Sequence, residues 1–198
     1  MVGNELEIRR KIFHIILGIV VVLLIYNNII KFWMSLTLLI AGLVISLNSR
    51  RYTLPVIGWL LKIFDRPEHK KFPGRGVIAI LFSFTTLLLL RDSGILSNNI
   101  ILASIMIWTF GDSLSAIIGK TYGRIKHPFN DSRFIEGTVS GIVGGALGAF
   151  IFVPILPAIV ASVIAITLES LELRLLKHPI DDNLLVPLIS ALVLVLMM

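Results

Sequence analysis

The sequence predicts an all-α fold, a polytopic transmembrane helical bundle of about seven spans. Three observations predict it. Of the 198 residues, 56% are hydrophobic and only 15% charged, more apolar than a soluble core of this length accommodates. Apolar stretches recur at about 12–27, 32–47, 77–90, 100–118, 137–153, 155–171 and 184–198. The cations, finally, fall between those stretches with strong asymmetry.

The first stretch follows Arg9, Arg10 and Lys11, as a signal peptide would. Later apolar runs leave a polytopic chain even if it is cleaved, so it is read as a helix of the mature protein. Between the second and third stretches lies a longer connection, about 48–76. Its apolar piece at 54–64, flanked by Arg50, Arg51, Asp65 and Arg66, fits an interfacial helix or a re-entrant segment. Pro154 and Pro157 separate the fifth stretch from the sixth by a tight turn or, alternatively, kink one helix. The whole chain, 1–198, reads as a single integral membrane domain.

With the amino terminus cytoplasmic and the carboxyl terminus outside, sixteen cations lie on the inner side: Arg9, Arg10, Lys11, Arg50, Arg51, Lys62, Arg66, Lys70, Lys71, Arg75, Lys120, Arg124, Lys126, Arg133, Arg174 and Lys177. The outer side keeps two, Lys31 and Arg91, as the positive-inside rule requires. The formal net charge of +6 is thereby assigned to topology rather than to nucleic acid. The absence of cysteine excludes disulfides, thiolate metal sites and cysteine nucleophiles.

Chemistry enters with the acids. Asp112 interrupts an apolar helix, where a carboxylate is costly unless it meets protein, water or a cation. Ser115 and Gly119 follow near the same face. Beyond them Lys120, Arg124 and Lys126, spaced by Gly119 and Gly123, suit phosphate, although a basic juxtamembrane run also serves topology or anionic lipid. Asp131 to Thr138 opens the glycine-rich fifth stretch. There Glu136 sits where helix N-terminal amides hold an anion or where its carboxylate binds a metal. Glu169 closes the sixth stretch, and Asp182 with Asn183 opens the seventh, where Asp181 reads as a cap. Asp112, Glu136, Glu169 and Asp182 are the metal-ligand candidates, with Mg²⁺ the expected ion because hard oxygen ligands and phosphate go together. His14, four residues from Arg10, is a candidate proton carrier or an interfacial hydrogen-bonded histidine, and Arg75 belongs to the basic piece that introduces the third stretch. No HExxH or GxSxG pattern supports zinc proteolysis or serine hydrolysis.

These pieces resemble the CTP-dependent lipid-alcohol kinases, namely dolichol kinase, phytol kinase and the CTP-using diacylglycerol kinase, and more distantly the CDP-diacylglycerol synthases. The resemblance rests on Arg9-Arg10-Lys11 with His14, Pro73-Gly74-Arg75-Gly76, the stretch from Gly111 to Ala116 running into Gly119-Lys120 and Gly123-Arg124, Glu136-Gly137-Thr138, and Asp182-Asn183-Leu184 before Pro187. It implies transfer of the γ-phosphoryl group of CTP to a long-chain isoprenoid alcohol such as dolichol, at the cytoplasmic face of the cell membrane and with Mg²⁺. In that scheme Asp112, Glu136, Asp182 and His14 are the catalytic set, and Arg75, Lys120, Arg124, Lys126, Arg133 and Asn183 hold the nucleotide. Geranylgeraniol, phytol or diacylglycerol are alternative acceptors, with membrane lipids as surroundings and no nucleic-acid partner. A CDP-lipid-forming cytidylyltransferase and an ion-coupled transporter remain open as other readings. Oligomeric state is not encoded in these patterns.

Overall fold

A computed structural model describes residues 2–48, 74–171, 174–175 and 178–198. The 54–64 piece and the cations from Arg50 to Lys71 lie outside the described residues, as does Lys177.

Helices dominate. Helix α1 (Val2–Tyr26) carries Glu5 in its first turn, where a carboxylate meets the positive end of the helix dipole. The turn after it contains Asn28, which adopts a left-handed conformation (φ 55°) that asparagine tolerates better than most side chains. The amides of Ile29 and Ile30 then fold back onto the Leu24 carbonyl. Helix α2 (Phe32–Asn48) and helix α3 (Arg75–Asp92) pack on each other, joined by the Ser35–Thr85 hydroxyl pair at 2.8 Å. Gly74 (φ 75°) precedes α3 and Gly94 (φ 79°) follows it, each in the left-handed region where a side chain is strained.

The next helix runs without a break from Asn98 to Tyr122 but changes its winding. It begins as α4 (Asn98–Met106), capped by the Ser97 hydroxyl on the Ile100 amide. A wider π-helical turn covers Ile107–Asp112, and α5 (Ser113–Tyr122) completes it. Isoleucines 101, 105 and 107, Leu102 and Ala103 are fully buried, so this helix is the axis of the core. A short hairpin, β1 (Lys126–His127) with β2 (Asn130–Phe134), leads into α6 (Ile135–Phe150). A turn ending in Pro154 separates α6 from α7 (Ile155–Ser170), so the two prolines mark two helices and not one kinked one. A second pairing, β3 (Arg174–Leu175) with β4 (His178–Pro179), precedes α8 (Asp182–Met197), whose N-cap Asp181 accepts the Asn183 amide at 3.1 Å. Helices α1, α6, α7 and α8 surround the axis.

Each apolar stretch therefore forms a helix, but the seven-span transmembrane bundle does not stand. Among the described residues one helix, Asn98–Tyr122, is long and apolar enough to cross a membrane, and 83% of its apolar window is buried inside the protein. The reasons are physical. A helix of 16 or 17 residues, such as α2, α6, α7 or α8, rises about 25 Å, short of the roughly 30 Å hydrocarbon layer. The length of α1 includes Arg9, Arg10 and Lys11, and α3 ends in Arg91 and Asp92 after starting at Arg75. The orientation with a cytoplasmic amino terminus and the multi-pass cell-membrane location rested on that span count, and they are corrected with it.

Candidate functional site

Five chain segments converge on one polar cluster inside the bundle. The π turn supplies Trp108 and Asp112, which are 2% and 1% exposed. From α1 come Lys11 and His14. The Lys11 ammonium sits 2.6 Å from both Asp112 oxygens, and His14 Nδ1 lies 3.6 Å from Oδ2. Their approach depends on Gly18, since a Cβ there would run into the Thr109 side chain of the π turn. The His14 ring rests against the Trp108 indole with centroids 3.8 Å apart, and Phe84 meets the indole edge-on at 5.5 Å.

The second half comes from β2, α7 and α8. The Arg133 guanidinium lies 2.7 Å from Glu169 Oε1 and 3.2 Å from Asp182 Oδ2, and donates to Ser115 Oγ at 3.4 Å. Asn183 links this half to the first: its Oδ1 accepts the Trp108 indole N–H at 3.0 Å, and its Nδ2 donates to the Gly76 carbonyl at 3.3 Å. One oxygen from each of Asp112, Glu169 and Asp182 lies within 4.8 Å of the other two. Glu169 is 1% exposed, yet neither of its oxygens has an aligned hydrogen-bond donor among the described residues, and the same holds for His14 Nε2. Buried polar atoms left in this state are uncommon and costly.

The electrostatics divide the acids into two kinds. Burial pushes the Asp112 carboxyl up, but the Lys11 ammonium, 2.6 Å away, outweighs it and holds Asp112 well below the usual carboxylate range. For Glu169 burial prevails over the attraction of Arg133, and the negative neighbours Asp112 and Asp182 add to it, so its carboxyl is pushed up to about 8. Burial pushes His14 down to about 4, against the pull of Asp112. Arg133 is held above its ordinary value by Glu169 first and by Asp182 and Asp112 after it. At neutral pH Glu169 thus keeps its proton, while Asp112 is ionised and Arg133 stays charged.

The sequence-predicted residues separate accordingly. Asp112, Glu169, Asp182, Asn183, Arg133 and His14 come together. Glu136 is placed elsewhere, where its carboxylate accepts the backbone amides of Arg124 (3.0 Å) and Ile125 (3.1 Å). Its own amide, first, and those two hold its carboxyl below the ordinary range. Lys126 donates to the Asp131 carbonyl at 2.5 Å and lies over the Phe134 ring, and Arg124 is exposed on the same lobe. Lys120 is 3.8 Å from Glu7, while Arg75 is 3.7 Å from Asp181, next to the cluster. Lys11 was missed as a site residue. It lies on one stripe of α1 with Gly18, Val22 and Ile25, all buried, and that spacing of seven, four and three already marked it as facing inward.

The CTP-dependent lipid-alcohol kinase at a membrane interface is also corrected. That reading needed the acids arrayed along one bilayer face by seven spans. Asp112, Glu169 and Asp182 converge instead within the bundle, Glu136 stands apart on backbone amides, and the described residues supply one helix of membrane length.

Comparison with known proteins adds one relative. Over 190 residues, 95% of this chain and 92% of the other, the sequence is 26% identical to the uncharacterized protein MJ1137 of Methanocaldococcus jannaschii. No family model matches, and no solved structure matches.

Proposed function

We propose that the buried cluster is a divalent-cation site, with Mg²⁺ the first candidate, at which a phosphorylated ligand binds. The observation that carries this reading is the convergence of Asp112, Glu169 and Asp182 oxygens within 4.8 Å of one another, with the Glu169 carboxyl buried and lacking an aligned donor. Around an octahedral Mg²⁺ with oxygens at about 2.1 Å, neighbouring ligands stand roughly 3 to 4 Å apart. The three oxygens lie within 4.8 Å of one another, so they draw together slightly on binding or one acid reaches the ion through a bound water.

Charge links cation and phosphate. A divalent ion displaces the Glu169 proton, so two positive side chains and the ion face three carboxylates. Exchanging the Glu169 proton for a doubly charged ion makes the cluster more positive by one charge inside a poorly solvated interior, where an anion gains most. Arg133, with its planar fork of donors, is placed to receive a phosphate oxygen. The resemblance in sequence makes CTP the nucleotide to try first.

Trp108 gives the test its signal, because its indole is bonded to Asn183 beside Asp182. Mg²⁺ or Mn²⁺ titrated into a W33F/W59F chain, in which Trp108 is the one remaining tryptophan, is expected to change the emission saturably below about millimolar concentration. D112N and D182N are each expected to weaken binding about tenfold or more, as loss of a charged ligand does, and CTP to bind only with the cation present. Saturable binding that both variants leave unchanged, or no binding up to 10 mM on the order of intracellular Mg²⁺ and beyond, would sink the reading.

A further inference from the structure

Lys11 is 6% exposed, and its ammonium is equidistant, at 2.6 Å, from the two oxygens of Asp112. That is the geometry of a cation held symmetrically by a bidentate carboxylate. It engages the one acid of the three that does not touch Arg133, since the guanidinium reaches Glu169 and Asp182. The side chain comes from a different helix, one whose close approach depends on Gly18. It has a four-carbon stem able to move its charge by several ångströms, unlike a backbone donor.

We propose that Lys11 is a tethered counter-ion that occupies the Asp112 corner of the cation site and must withdraw from it when a divalent ion binds. The inference rests on the cation-site reading above. Lys11 then has two positions. In the first it neutralises Asp112 and keeps the buried acid satisfied while no metal is bound. In the second, driven off by a doubly charged ion that Asp112 prefers, its ammonium turns toward the incoming phosphate. The residue thereby sets an affinity threshold: the ion must outcompete a charge that is already in place, and the anion that accepts the displaced ammonium helps it do so. Binding of cation and of phosphate is coupled through this side chain, and reciprocity requires that each tighten the other.

The test uses Mn²⁺ as probe, read by loss of the free-ion magnetic resonance signal, and inorganic triphosphate as anion. For the native chain and D112N, Mn²⁺ binding at the cluster is established first. K11M is then expected to bind Mn²⁺ alone at least tenfold more tightly than the native protein, and to lose most of the tightening that triphosphate confers. K11R, which keeps the charge, is expected to stay near the native value. Because K11M leaves Asp112 without its partner and can fail to fold, a second measurement uses the native chain. Acylation of Lys11 by an amine-specific reagent, followed by mass spectrometry, is expected to be slow without metal and several-fold faster at saturating Mn²⁺. A Lys11 that stays protected at saturation, or a folded K11M whose Mn²⁺ affinity is unchanged or lower, overturns the counter-ion while leaving the cation site intact. Failure of the native chain to bind Mn²⁺ removes both.

Discussion

At the scale of single residues the cluster makes a signed prediction about pH. Glu169 titrates near 8 in the folded chain against an ordinary 4.5, so the folded state holds a proton that the unfolded state has released. The stability linked to Glu169 is complete below 4.5 and is lost as pH rises toward 8. His14 runs the other way. Its folded value near 4, against 6.5, gives stability that is present above 6.5 and lost as pH falls through 4. Between 4.5 and 6.5 the two oppose each other, leaving a nearly flat profile. From 6.5 to 8 only the Glu169 loss remains, at up to about 1.4 kcal/mol per pH unit. Denaturant melts across this range are expected to show that decline in the native chain and to lose it in E169Q. Cation affinity follows from the same proton. It is expected to rise about tenfold per pH unit below 8 and to level off above it, with isothermal calorimetry in buffers of different ionisation heat counting one proton released.

At the scale of helices, packing distances decide which contacts the site depends on. Gly18 is where α1 passes the π turn, and an added Cβ would meet Thr109 at its Cγ2 and, at 2.8 Å, at its Cβ. Thr109 is fully buried and its hydroxyl is committed to the Ile105 carbonyl at 2.7 Å, so it has nowhere to move. Gly18→Ala is therefore expected to cost roughly 1–3 kcal/mol and, by lifting Lys11 and His14 off Asp112, to alter cation binding in the fluorescence titration. Gly42→Ala is the control. The nearest atom there is a Leu81 methyl at 3.6 Å, ordinary contact, so the helix preference of alanine is expected to leave stability unchanged or raise it by up to about 1 kcal/mol in a thermal melt. This scale also shows how far the sequence could be read. Helix positions were legible because the apolar runs and the prolines at 154 and 157 are local signals. The medium around the helices was not, because a run such as Ile100 to Ile107 is equally apolar whether it faces lipid or, as here, other helices. The charge count compounded the error. Lys11 and Arg133 were counted as markers of a membrane side, whereas each is spent on a carboxylate inside the bundle. Asp112, Glu169 and Asp182 were legible because acids beside apolar runs need a partner, but only the three-dimensional structure separates them from Glu136, whose partners are backbone amides a dozen residues away.

At the scale of the whole molecule the site is a product of long-range assembly. Lys11 and Asp112 are 101 residues apart in sequence, and Trp108 and Asn183 are 75 apart. No single helix holds more than part of the cluster, so the unfolded chain presents no equivalent site, and a bound ion stabilises the assembled bundle alone. At a cation concentration one hundred times the dissociation constant the gain is expected to be about 2.7 kcal/mol. A thermal melt of the native chain is expected to shift upward with Mg²⁺, and that of D182N, at the same cation concentration, to gain about 1.4 kcal/mol or less. The wider winding at Ile107–Asp112 governs the whole arrangement. Each residue of an α-helix advances the azimuth by about 100°, so a stretch whose hydrogen bonds reach one residue further sets the two ends of this helix out of phase. Ile101 and Ile105 belong to the apolar core, while Ser115 and Gly119 back onto Gly137 of α6. Were Ile107–Asp112 wound as an ordinary α-helix, the chain would keep every motif in its sequence while its aspartate pointed in another direction.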